Sequence, residues 1–172
     1  MSQPFILTAS LPSDVFSRAE QLRREHFPPE RNHLHAHVTL FHSFAPSLRE
    51  ELTDFLPSLV REFAPPLGRI AGLMDLGKGT AIKLEAPQLL LLRRMIAERF
   101  HGGLTSQDLH EPRPHITIQN KVTKTEARAL QASLGPQIER RDFQFPALEL
   151  HQYLGGPWEL VKAFQFRGKA QL

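Results

Sequence analysis

The pattern His-apolar-Thr-apolar occurs twice in this chain of 172 residues, and it constrains the possible fold more than any other feature. The first copy is His37-Val-Thr39-Leu and the second is His115-Ile-Thr117-Ile. Such alternation is typical of a strand with one buried face, because successive side chains point to opposite sides. A segment with helical spacing follows each copy. The sequence therefore predicts two similar strand–helix units, each presenting a histidine and a threonine on its polar face.

The composition is that of an ordinary globular protein, with 41% hydrophobic and 23% charged residues. No apolar run approaches the ~20 residues that a membrane-spanning helix requires, so we expect no membrane association. There is no cysteine, which excludes disulfide frameworks, thiolate catalysis and cysteine-ligated zinc, and which fits a cytoplasmic location. The net charge of +3 favours the approach of an anionic ligand but is far from that of a non-specific DNA binder.

Hydrophobic periodicity and turn signals predict strands and helices in the order β-α-β-α-β-β-α-β-α-β-β. Strands joined by short turns favour antiparallel pairing, and no linker divides the chain. We therefore expect an α+β fold in which residues 1–172 form a single domain with helices outside the sheets. The predicted strands are 5–8, 35–42, 67–75, 79–85, 114–119, 143–153 and 159–167. The predicted helices are 13–26, one starting at a capping box over 47–50 that Pro57 should kink or split, 87–100 and 123–134.

If the two motif strands lie side by side, their polar faces form the floor of a cleft containing two imidazoles and two hydroxyls. Two histidines can act as a general base and a general acid near neutral pH. Threonine hydroxyls can donate hydrogen bonds to anionic oxygens. A strained 2′,3′-cyclic phosphate suits this set, because one imidazole can deprotonate water while the other protonates the departing ribose oxygen. The candidate catalytic residues are His37, Thr39, His115 and Thr117, and this chemistry requires no metal or cofactor.

These motifs and the C-terminal run Leu150-His-Gln-Tyr153-Leu-Gly-Gly-Pro-Trp158 resemble the two-histidine (2H) phosphoesterase superfamily. That superfamily includes the bacterial 2′-5′ RNA ligase and RNA 2′,3′-cyclic phosphodiesterase proteins. The resemblance implies a bilobal α+β fold, with two antiparallel sheets related by a pseudo-two-fold axis, helices packed outside and the motifs facing a central groove. It also implies metal-independent acid–base catalysis by the two histidines, with the two threonines holding the phosphate. The family's first motif often follows a proline, whereas Ala36 stands here, which should alter the rim of the site.

Four further residues are candidates for substrate binding, and three of them have an alternative structural role. Phe41 could stack on a base or belong to the core. Arg113 could contact a phosphate or form a surface ion pair. Tyr153 could contact the ligand or pack. His35 is expected at the rim of the site.

Other functions remain open from the sequence. His33, His35 and His37 could bind zinc, but no carboxylate follows them in the patterns of metallohydrolases, so we expect no metal site. A non-catalytic module that binds RNA ends or nucleotides is a second possibility, and reversible 2′-5′ RNA ligation is the same chemistry in reverse. The expected partner is an RNA end or a small nucleotide bearing a cyclic phosphate. No obligate protein partner is evident, and a monomer is the default.

Overall fold

Two four-stranded antiparallel sheets form the framework of the computed structural model, which describes residues 3–172. The strands are β1 Phe5–Ala9, β2 Val38–Phe44, β3 Leu67–Asp75, β4 Thr80–Glu85, β5 His115–Gln119, β6 Arg141–Gln144, β7 Ala147–Tyr153 and β8 Trp158–Gln165. The helices are α1 Ser13–His26, α2 Arg49–Glu62, α3 Pro87–Arg99 and α4 Lys124–Leu134. The first sheet has the order β2-β1-β7-β8, and the second has the order β5-β4-β3-β6.

The two halves of the chain follow the same path. The order β1-α1-β2-α2 in the first half is repeated as β4-α3-β5-α4 in the second. Each motif strand lies at the edge of its sheet beside the strand that precedes it, so β2 pairs with β1 and β5 pairs with β4. The two edge strands contact each other between the sheets. This arrangement confirms the expected bilobal α+β fold with its internal pseudo-two-fold relation.

The core lies between the sheets and the helices. The buried stripe of α1 comprises Val15, Ala19 and Leu22, as its helical spacing predicts. Although α1 belongs to the first half of the chain, it packs against β5 of the second sheet. Each fully buried Leu or Phe side chain in this core stabilises the fold by about 1.5–3 kcal/mol. The halves are therefore interlocked, because the first half covers the motif strand of the second.

The single strand predicted over residues 143–153 is wrong. Two strands occupy this segment: β6 pairs with β3 in the second sheet, and β7 pairs with β1 in the first. Pro146 lies between them and has no N–H group for a ladder. The backbone N–H of Phe145 instead donates to Pro66 O at 2.9 Å. The chain thus crosses from one sheet to the other at this proline.

Helix starts were predicted correctly only in part. Thr123 caps α4 as expected, since its Oγ1 accepts the N–H of Glu126 at 3.1 Å. The capping box predicted at 47–50 does not form, because a 3₁₀ turn at Pro46–Leu48 precedes α2. Pro57 does not split α2, whose buried stripe of leucines holds the helix together despite the ~3 kcal/mol that an interior proline costs. Within residues 3–172, no helix combines the length and apolarity needed to cross a membrane.

Candidate active site

The two motif histidines are held in the same way. Nδ1 of His37 lies 2.7 Å from the backbone oxygen of His35, and Nδ1 of His115 lies 2.7 Å from the backbone oxygen of Arg113. A carbonyl oxygen can only accept, so Nδ1 must carry the proton in both rings. In each neutral imidazole Nε2 is therefore left with a free lone pair. The backbone two residues before each motif thus fixes both the orientation and the tautomer of its histidine.

The threonine of each motif lies on the same side of its strand as the histidine. Thr39 and Thr117 are half-buried, whereas the neighbours Val38 and Ile116 point into the core. Since β2 and β5 contact each other, both motifs lie near the place where the two sheets meet, and His115 is near enough to affect the charge of His37. The faces on which these side chains lie are those that the alternating pattern predicts.

The environment of His37 disfavours its charged form. Burial is the main cause and lowers the pKa of this imidazole to about 4, although the hydrogen bond to His35 acts in the opposite direction. Positive charge on Arg23, His151 and His115 lowers the pKa further. His37 is consequently neutral near pH 7, with Nε2 available to accept a proton.

Two buried arginines, one on α1 and one on α3, each link the helix of one half to the motif strand of the other half. Arg23 of α1 donates from Nη1 to the backbone oxygen of Thr117 at 2.7 Å. Arg93 of α3 donates from Nε to the backbone oxygen of Leu40 at 2.9 Å. Both are almost fully buried, at 3% and 4% exposure. These reciprocal contacts fix the two edge strands relative to each other and therefore align the two motifs.

A buried carboxylate fixes the far end of β2. Asp108 lies in the loop before β5 and accepts the backbone N–H groups of His42 and Ser43, each at 2.9 Å. Burial acts to raise its pKa, but the hydrogen bonds from the His42 side chain and from these two amides outweigh it and lower the pKa overall. Asp108 is therefore ionised near neutral pH and replaces the missing strand partner at this edge.

A cavity of about 430 Å³ opens beside His37 on the polar face of the first sheet. Its walls come from the end of β1, from residues 33–36 and from β7 and β8. The indole of Trp158 contacts two imidazoles there, with ring centroids 4.7 Å from His37 and 5.4 Å from His151. Nε2 of His151 lies 3.2 Å from Oγ1 of the buried Thr8. His151 and Thr8 could not be predicted as neighbours from the sequence, because only the pairing of β1 with β7 brings them together.

The face of the second sheet that carries His115 forms the opposite wall of the groove, and this wall is cationic. Lys83 on β4 is the cross-strand partner of His115, and such partners lie on the same face about 5 Å apart. Its neighbours Ile82 and Leu84 are buried, so Lys83 points to the polar side. Arg140 adds a second cation on this face, because its Nη2 lies 3.6 Å from the position of a Cβ atom built on Gly72, the β3 partner of Lys83. Strand alternation already predicts that Lys83 faces outward, but its position beside His115 follows only from the sheet register.

The prediction that Phe41 could stack on a substrate base is wrong. Its ring is fully buried against Phe44, with ring centroids 4.8 Å apart, and beneath the guanidinium of Arg93. The cause is a β-bulge in β2. Thr39 pairs with Thr8 and Phe41 with Leu7, so Leu40 is an extra residue and the alternation is lost.

The remaining predicted residues lie at the edge of the site. His35 is exposed at the rim of the cavity, where Nδ1 lies 3.3 Å from Glu20, and Arg113 is also exposed. Their backbone oxygens, rather than their side chains, contact the motif histidines. Tyr153 shares a strand face with His151 but does not line the cavity.

Ala36, the departure from the family pattern, has a defined role at the rim of the site. Its N–H donates to the carboxylate of Glu20 on α1 at 2.6 Å, a bond that proline could not make. The three histidines considered as zinc ligands do not converge: within residues 3–172 no group of three His, Asp or Glu side chains is placed to hold a metal ion.

Comparisons with known proteins agree with this architecture. The family model described as the 2′-5′ RNA ligase superfamily matches residues 11–157. No curated protein sequence matches the chain. Three similar crystal structures are TT0787 of Thermus thermophilus, E. coli LigT complexed with 3′-AMP, and a protein described as a phosphoesterase.

The three structures match almost end to end. TT0787 has a TM-score of 0.67 at 16% identity, over 97% of this chain and 100% of its own. LigT has a TM-score of 0.59 at 15% identity, over 96% and 99%. The phosphoesterase has a TM-score of 0.57 at 17% identity, also over 96% and 99%. At such low identity these likenesses establish the fold alone.

Proposed function

Because the chain belongs to the 2′-5′ RNA ligase superfamily, we propose that it is a phosphoesterase that opens 2′,3′-cyclic phosphates at RNA ends or on small nucleotides. The observation that carries the proposal is the matched pair of 2.7 Å hydrogen bonds at Nδ1 of His37 and His115. They leave two Nε2 atoms free for proton transfer at the meeting point of the sheets. The similarity in fold to LigT, which has been crystallised with 3′-AMP, supports a nucleotide as the ligand.

In the proposed reaction His37 is the general base, because its low pKa keeps Nε2 unprotonated. A water molecule attacks the phosphorus atom and transfers a proton to this nitrogen. The bond from phosphorus to one ribose oxygen breaks, and protonated His115 donates its proton to that oxygen. The product is a ribose phosphomonoester with a free hydroxyl. Exchange of protons with solvent then restores both imidazoles.

The threonines bind the phosphate in this proposal. Their hydroxyls donate to the non-bridging oxygens, on which charge builds up as water attacks. The cations of the opposite wall, led by Lys83, attract the polyanionic RNA. Ligation uses the same groups in the same direction, with the 5′-hydroxyl of a second RNA taking the place of water as the nucleophile. The superfamily description is the observation that favours this second activity.

The test is turnover of an RNA oligomer that ends in a 2′,3′-cyclic phosphate, in the presence of a chelator. We expect the unmodified chain to open the ring, and His37→Ala and His115→Ala each to reduce kcat by about 10²–10⁴-fold. His101→Ala, which removes an exposed histidine after α3, is the matched control and should turn over normally. Normal turnover by either motif variant contradicts the proposal. Tight binding without product would identify a binding module, and adding a 5′-hydroxyl RNA tests for ligation.

A further inference from the structure

The cavity beside His37 has the size and composition of a nucleobase site. Its volume of about 430 Å³ lies within the ~300–1,000 Å³ of small-ligand pockets. Phe16, Leu11 and Leu160 supply much of its lining, and Trp158 offers an aromatic face. Bases stack on such faces because every base has a π surface. Since Trp158 also contacts His37, a ligand can occupy the cavity and reach the motif histidines at the same time.

One carboxylate stands in this largely apolar cavity. Glu149 faces it from β7 and is 32% exposed. The nitrogen that faces this carboxylate is Nε2 of His151 at 3.5 Å, which is too far for a hydrogen bond. The same nitrogen lies closer to Oγ1 of Thr8, at 3.2 Å. The carboxylate therefore keeps lone pairs with which to accept hydrogen bonds from a ligand, and a half-buried carboxylate gains from such donors.

We propose that this cavity binds the base of the nucleotide that carries the cyclic phosphate, and that Glu149 selects guanine. Guanine alone among the four bases presents two adjacent donors, N1–H and N2–H, which match the two oxygens of a carboxylate. Adenine and cytosine each place an acceptor nitrogen beside their amino group, and uracil flanks its single N–H with two carbonyls. Each therefore offers the carboxylate one donor at most. This inference rests on the proposed function, because it places the scissile phosphate at the two motifs.

The test compares the 2′,3′-cyclic phosphates of guanosine, adenosine, cytidine and uridine as substrates, with kcat and KM measured separately. A good bidentate contact is worth about 1–3 kcal/mol of discrimination, so we expect kcat/KM for guanosine to exceed the others by about tenfold or more. Glu149→Gln should abolish this preference by raising KM for guanosine, with little change for uridine. Glu159→Gln, which alters an exposed carboxylate outside the cavity, is the control and should preserve the preference.

A second variant tests the stacking surface. Trp158→Leu should raise KM for all four substrates by a similar factor of about tenfold, because stacking does not depend on the identity of the base. Equal kcat/KM for the four substrates would overturn the inference, as would a Glu149→Gln variant that affects all four alike.

Failure of the proposed function gives a different result. If none of the four rings opens, binding of the 3′-monophosphates of guanosine and uridine is measured by calorimetry. Preferential binding of the guanosine compound that Glu149→Gln removes would keep the base site and overturn the hydrolytic activity. Equal binding of the two compounds, or no binding, would overturn the base site as well.

Discussion

At the scale of single residues, the orientation of the motif side chains could be read directly from the sequence. Alternation places His37 with Thr39 and His115 with Thr117, and the structure has the same faces. Phe41 was misplaced because a bulge adds one residue to β2. A bulge depends on the pairing of two strands, so no pattern within residues 38–44 reveals it.

The threonines should matter for turnover and not for folding. Thr39→Val and Thr117→Val each remove one hydrogen bond to a charged oxygen, worth about 1.5–3 kcal/mol, so kcat/KM should fall about 10- to 150-fold. Because both side chains are only half-buried, the melting temperature should change little. Steady-state kinetics and thermal unfolding measure the two effects. Thr125→Val, on the exposed face of α4, is the control; a loss of activity no larger than in that variant would contradict the assignment.

The low pKa of His37 predicts a pH-dependent stability. The unfolded chain takes up a proton at this residue near pH 6.5, whereas the folded chain does so only near pH 4. Between these values the unfolded state binds more protons, so the free energy of unfolding should rise with pH from about 4 to 6.5 and then level off. His37→Gln should lessen this rise by roughly 1–3 kcal/mol. Urea unfolding at a series of pH values measures it, and identical profiles for the two proteins would refute the prediction.

At the scale of elements, helices and strands were predictable where local signals decide them, as at the cap of α4. The division of residues 141–153 between two sheets was not predictable, because the partners β3 and β1 are distant in sequence. The buried arginines are similar cases. In the sequence Arg23 and Arg93 resemble ordinary charged residues on helix surfaces. Their burial follows from the packing of each helix against the motif strand of the other half.

Replacing one of these arginines should destabilise the fold, because each arginine connects the two halves. Arg93→Met keeps the side-chain volume but loses hydrogen bonds from Arg93 to the backbone oxygens of Leu40 and Asp108. We expect the free energy of unfolding to fall by about 3–6 kcal/mol, since two bonds are lost and each bond to a charged donor contributes about 1.5–3 kcal/mol. Chemical denaturation measures the loss. Arg94→Met, on the exposed side of the same helix, should cost less than about 1 kcal/mol. A similar loss in both variants would contradict the role of Arg93.

At the scale of the whole molecule, the two walls of the groove differ in charge. The first sheet contributes the base cavity with Glu149, and the second contributes Lys83 and Arg140. The net charge of +3 does not predict this separation of charges, because it does not say where the cations lie. A substrate with a base at one end and a phosphodiester chain at the other would lie across the groove in one direction.

Lys83 should therefore matter more for RNA than for a mononucleotide. Lys83→Gln should raise KM for an RNA oligomer and reduce the slope of log KM against log salt by about 0.7, the value for one contact with a single strand. Its effect on a nucleoside 2′,3′-cyclic phosphate should be smaller. Kinetics from 50 to 300 mM salt, roughly the range over which such contacts weaken, measure the slope. Lys169→Gln, which alters an exposed lysine after β8, is the control, and equal slopes in the two variants would rule out the contact.

The crossing of the chain at Pro146 also determines which of the two sheets can be completed first during synthesis. The second sheet is complete once β6 has been synthesised, but β1 and β2 must wait for β7, which covers the other edge of β1. During synthesis the first motif is therefore held on an antiparallel pair of strands, β1 and β2, and two strands alone are marginally stable. His115 reaches its final surroundings before His37 does, although His37 leaves the ribosome first. In a chain that ends at residue 146 and has left the ribosome, the later half and the α1 helix that packs on β5 should resist proteolysis, whereas β1 and β2 should be cleaved.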